Sequence, residues 1–173
     1  DKDLGGHFMF GIPSELLIAF VTTCLIMEAT PGPNMAFLAI VSAGRGRKYG
    51  YATVLGITLG LTLLGIIAAT GMATVIERSP LLYQTLRWAG IGYLLWLAYE
   101  GWRETGESSA ARASEKTAMR SYFRHGLLVN LLNPKAAAFY VTVLPTFLNR
   151  TGTVVPQALL LTMISVAIAT AAH

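Results

Sequence analysis

Residues 28–35 read EATPGPNM, and residues 130–136 read NLLNPKA. Both stretches lie inside long apolar runs, and both set proline and asparagine beside an ionisable side chain. A proline inside a helix removes a backbone hydrogen bond and clashes with the preceding turn, at about 3 kcal/mol. In hydrocarbon no water reaches the freed carbonyl, so such a break persists only when buried in protein or lining a wet cavity. The fold turns on whether these two runs cross a membrane.

Composition says that they do. Of 173 residues, 54% are hydrophobic and only 13% are charged, against about 25% charged in soluble domains. The mean hydropathy is +0.55. The net charge of +4 does not point to nucleic acid, because the basic residues form short clusters between apolar runs instead of one solvated face. The single cysteine, Cys24, excludes an internal disulfide and a thiolate metal cluster and reads as a small packing residue.

Five apolar segments reach the roughly 20 residues that a transmembrane helix requires. They are expected at about 13–44, 49–76, 79–101, 124–148 and 153–173, with a polar connector at 102–123. The fold class is therefore all-α, a polytopic transmembrane helix bundle forming one domain over residues 1–173. Arg45, Arg47 and Lys48 in one loop, and Arg103, Arg112, Lys116, Arg120 and Arg124 around the connector, place those loops in the cytoplasm and the N-terminus outside. Met9 reads as a native start, and the chain stops inside an apolar run. A second half matching the first needs one more helix, which the expected 3+3 inverted repeat lacks here.

The two breaks occupy equivalent places in the first and fourth segments, which this topology runs in opposite directions. Interrupted segments at equivalent positions of inverted halves point to a transporter's binding site. Glu28 lies about 15 residues into its span, roughly 20 Å deep, and Lys135 about nine residues, roughly 14 Å. A charge at the bilayer centre costs at least about 2.5–3.5 kcal/mol, and such groups are usually paired or functional. The plainer alternatives are packing kinks without chemistry and a structural Glu28–Lys135 ion pair. Arg87, close to the third helix's outer end, reads as structural, its charge reaching the interface. His125 reads as interfacial, and Gly56, Gly60 and Gly65 as a smooth face for close helix packing.

The stretches ATPGPNM, GRGRKYGYATVLGITLG, AGIGYLLWLAYEGWR and GLLVNLLNPKAAAFYVTVLP together resemble the lysine-exporter (LysE) superfamily, and more closely its homoserine/threonine-resistance (RhtB) branch of amino-acid exporters. The likeness runs in order over about residues 9–173. It implies a multi-pass carrier of the bacterial inner membrane, not an enzyme. Its activity would be export of threonine- or homoserine-like, or other neutral or basic, amino acids, driven by the proton gradient. Implied substrate-binding residues are Pro31, Gly32, Pro33, Asn34, Asn130, Asn133, Pro134 and Lys135, with Glu28 as the proton-coupling candidate. The expected partners are the amino acid, the proton gradient, membrane lipid and a second copy of the chain in a homodimer. No cofactor, metal or nucleic acid is expected. Thr146 stands where many members carry glutamine, which bears on the substrate. The alternatives are a membrane scaffold and a redox- or metal-handling relative; one cysteine and three histidines supply no ligand cluster for the latter.

Overall fold

A computed structural model of the protein describes residues 11–70, 115–149 and 153–173, with scattered helical positions between 81 and 99. The expected third helix, Arg87 included, and residues 102–114 of the connector lie largely or wholly outside the described residues, as do Met9 and its neighbours. Every regular element among the described residues is helical. In chain order these are α1 (Ser14–Ala29), α2 (Pro33–Arg45), α3 (Arg47–Ala69), α4 (Glu115–Leu131), α5 (Pro134–Ala138) and α6 (Val154–Ala172). A π-helical turn (Phe139–Val143) and a 3-10 turn (Leu144–Phe147) extend α5. Residues 115–123, in the polar connector, are already helical.

Among the described residues two helices, α3 with 23 residues and α6 with 19, are long and apolar enough to cross a membrane unaided, and two further spans are broken. The α1–α2 pair bends by 52°, and α4 bends by 48° against the stretch from Pro134 to Phe147. Each bent pair taken as one span brings the described residues to as many as four spans. The protein is thus an all-α, multi-pass membrane bundle. Proline accounts for both bends: Pro31 and Pro33 flank extended Gly32, and Pro134 follows extended Asn133.

Small residues decide which helices touch. A methyl group at Gly56 would overlap the Phe123 carbonyl, and one at Gly126 the Thr53 carbonyl. Gly60 receives the side chain of Asn130, and Gly65 that of Thr162. The first three contacts lock α3 against α4, and the fourth brings α6 onto α3. Between membrane helices, where lipid is as apolar as leucine, such close backbone approach replaces the hydrophobic driving force. Gly50 makes a similar contact with Ser42, which seats α2 against α3 beyond the turn at Gly46. That glycine has φ 99°, a conformation that other residues rarely adopt.

The same contacts fix directions. Thr53 meets Gly126 and Gly60 meets Asn130, so α3 and α4 run parallel. Gly65 meets Thr162, and Thr58 hydrogen-bonds Thr170 at 2.9 Å, so α6 runs antiparallel to them. At one end of the bundle, Lys48 pairs with Glu115 at 2.8 Å. This pair is exposed on both sides and adds little stability. At the other end Gln157, fully buried, accepts from the Asn149 amide at 2.8 Å and donates to the Asn149 carbonyl. Asn149 Nδ2 donates to Gly11 O at 3.0 Å, tying the entry of α1 to the entry of α6. The α1–α2 span therefore runs opposite to the α4–α5 span. Phe20, Ile57, Leu144 and Leu161 fill the interior, while Ile18, Ile40, Leu55 and Met163 face outward, as lipid-facing side chains do.

Candidate functional site

The two breaks meet. At the first, α1 ends with Thr30 in an extended conformation, and α2 begins at Pro33 without a side-chain cap. In an unbroken helix the Met27 carbonyl would accept from the N–H of residue 31. Residue 31 is proline and has none. Lys135 supplies the replacement from across the bundle: its Nζ donates to Met27 O at 2.5 Å and to Thr30 O at 2.6 Å. A cation thus sits on the negative end of the α1 dipole, where Met27 O otherwise accepts only from Thr30 N at 3.2 Å. The lysine stem crosses the first break at Gly32, where a Cβ would lie 3.2 Å from Lys135 Cδ.

Beyond that crossing α2 starts. Its cap residue takes the first helical bond, from Ala36 N to Gly32 O at 3.0 Å, which leaves the Asn34 and Met35 amides without intrahelical partners. Such an end attracts negative charge. At the second break, Asn133 caps α5, its Oδ1 accepting from Lys135 N at 3.0 Å. This is the usual use of asparagine at a helix start. It also fixes the backbone from which the Lys135 side chain leaves. The two spans are joined once more by Asn34 Nδ2, which donates to Asn130 Oδ1 at 2.8 Å.

These groups surround one cavity of about 40 Å³, room for roughly three waters. Of the residues expected at the site, Glu28, Gly32, Asn34, Asn133 and Lys135 line it. Asn130 stands behind Asn34, fully buried. Pro31, Pro33 and Pro134 do not line the cavity; they shape the breaks. Among the described residues Glu28 and Lys135 form no ion pair, because the α1 carbonyls hold the ammonium instead.

The far wall is one that sequence reasoning missed. Tyr140, in the π-helical turn, and Ser165 of α6 lie 3.2 Å apart through their hydroxyls. Ser165 Oγ donates to Thr162 O at 2.9 Å, so its only proton is used and Tyr140 must be the donor between the two. Both residues line the cavity, next to the apolar Leu61 and Phe139. The available signal was Ser165 within the mostly apolar last segment, a polar residue that must find a partner when buried. His173 also lines the cavity, its Nδ1 at 2.6 Å from Ala169 O. His125 lies apart from it, with its ring near Phe37 and Tyr122. Among the described residues no three His, Cys, Asp or Glu side chains cluster as a metal site would require.

The cavity thus presents a carboxylate, an ammonium, a helix N-terminus and paired hydroxyls within one apolar shell.

Comparison with known proteins gives this geometry a family. Residues 25–172 match the model of the LysE type translocator family, and the chain belongs to that family. It is 28% identical over 134 residues to the homoserine/homoserine lactone efflux protein of Salmonella typhimurium, covering 78% of this chain and 65% of that one. It is 33% identical to the leucine efflux protein of Salmonella typhimurium, covering 77% and 63%. An uncharacterized membrane protein of Vibrio cholerae is 26% identical over 151 residues, covering 87% and 74%. The chain therefore spans less than two thirds of the length of the two efflux proteins. No solved structure matches it.

Proposed function

We propose that this LysE-type translocator is a secondary carrier that exports neutral amino acids across the bacterial inner membrane, with the substrate held between the two broken spans. One observation carries the reading: both breaks open onto a single cavity, with the carbonyl end of α1 and the amide end of α2 beside Glu28 and Lys135. Broken helices facing each other near mid-membrane are how carriers offer sites of opposite charge to one ligand. In this reading the substrate carboxylate meets the Asn34 and Met35 amides and the remaining N–H of Lys135. Glu28 receives the ammonium group or carries the coupling proton. The side chain lies towards Leu61, Phe139, Tyr140 and Ser165. A wall both apolar and hydroxyl-bearing suits neutral side chains, in keeping with the homoserine and leucine named for the relatives.

The two halves would be inverted repeats, which the opposite directions of the α1–α2 and α4–α5 spans support. The test is efflux from cells loaded with dipeptides of homoserine, threonine, leucine or lysine. Expression of the full-length protein should accelerate loss of at least one neutral amino acid, and equal rates with and without it would refute export. Glu28→Gln should flatten the pH dependence of that efflux. Normal pH-dependent export by the exchanged pair, Glu28→Lys with Lys135→Glu, would defeat the separate roles given to the two charges.

A further inference from the structure

The C-terminal end of α1 is occupied by a cation that belongs to the protein itself. We infer that this end is a monovalent-cation site, built from the Met27 and Thr30 carbonyls, and that the Lys135 ammonium is its resident, tethered occupant. Three observations support it. Pro31 removes the ordinary helical donor of the Met27 carbonyl, leaving it a bond from Thr30 N at 3.2 Å and a free lone pair, and the break at Gly32 separates the Thr30 carbonyl from the Asn34 amide that would otherwise bond it. Both carbonyls converge on one Nζ at 2.5 and 2.6 Å. Although Glu28 borders the same cavity, the ammonium takes the carbonyls and leaves the carboxylate. A cation there is stabilised by the helix dipole as well as by direct coordination. Half-helix carbonyl ends are where sodium sits in other carriers; here a covalently attached ammonium fills the position.

Two consequences follow. With Lys135 in place the protein has no vacancy for sodium at this end, so sodium should not bind there. Remove the side-chain charge, and the carbonyls should accept a small free cation in its stead. The site also ties α1 to α5 across both breaks, so its occupancy should set the stability of the bundle whether or not the chain transports anything.

The experiment measures thermal unfolding of the purified full-length protein in detergent. Wild type, Lys135→Ala and Lys135→Gln are compared in sodium chloride, methylammonium chloride and choline chloride at equal ionic strength. Lys135→Ala should melt below wild type. Sodium or methylammonium, but not the bulkier choline, should raise its melting temperature in a saturable way by about 2–4 °C. Wild type should show no such difference between the salts. Lys135→Gln, which keeps a donor but no charge, should fall between the two and respond in the same sense. The inference is overturned if wild type shows the same response to the cations as Lys135→Ala. It is equally overturned if both variants melt with wild type, or if neither variant is recovered or stabilised by any cation. Failure of export in every variant leaves these melting results unchanged, so the cation site and the transport reading stand or fall separately.

Discussion

Asn34 and Asn130, 96 residues apart in the chain, share a buried hydrogen bond of 2.8 Å that joins the first turn of α2 to the last turn of α4. The bond uses half of each amide. Among the described residues Asn34 Oδ1 and Asn130 Nδ2 are buried without a partner, an arrangement that ordinarily marks strain or a missing ligand or water. Asn34 lines the cavity and Asn130 rests on Gly60, so the pair links the candidate site to the close contact between α3 and α4.

Truncating either asparagine should strand the other. Asn34→Ala and Asn130→Ala are each expected to cost about 1–2 kcal/mol, since a buried polar group left unpaired bears its full desolvation penalty while membrane hydrogen bonds are individually modest. The double variant should lose little more than the worse single one. Thermal melts of all four proteins measure the coupling, and strictly additive losses would show that the bond contributes nothing.

Gly56 and Gly126 should tolerate no side chain. Their added methyl groups would overlap backbone atoms, which cannot rotate away, and overpacking costs about 1–3 kcal/mol. Gly44 in α2 has nothing within 4 Å of the same position. Gly44→Ala should be neutral or slightly stabilising, because alanine is favoured over glycine inside helices by about 1 kcal/mol. Melting temperatures in detergent should rank Gly44→Ala at or above wild type, with Gly56→Ala and Gly126→Ala well below.

Replacing Pro31 and Pro33 together by alanine restores the regular helical N–H donor, four residues on, of the Met27 carbonyl. The first span should straighten, the Lys135 ammonium should lose its acceptors to the new helical bonds, and export should fall to background while membrane insertion is kept. Wild-type efflux from a well-expressed double variant would make the prolines packing kinks alone.

The two ends of the bundle should face different compartments. Gly44, near the arginine-rich turn, and Thr153, just before α6, are both exposed. With Cys24 changed to serine, a membrane-impermeant thiol reagent applied to intact cells should label Thr153→Cys and spare Gly44→Cys. The reverse pattern would invert the orientation expected from the basic residues.

Much of this architecture is local and is therefore legible in the chain alone. Apolar length and charge depletion establish the membrane spans, because a backbone in hydrocarbon must bond within its own helix. Proline has no N–H, so Pro31 and Pro134 announce broken spans wherever the chain packs. The glycines at 56, 60 and 65 announce a close helix contact, though not with which helix. Tertiary structure alone decided the partners. Lys135 could have met Glu28 or bare carbonyls, and the choice fell to the carbonyls of Met27 and Thr30 because α5 docks where α1 ends. Asn34 found Asn130, and Tyr140 found Ser165, across separations that no periodicity records. A freed carbonyl or a buried amide can be read from the chain because its need is covalent. What satisfies that need is set by a few ångströms of helix packing between segments about a hundred residues apart, and only the assembled bundle fixes that distance.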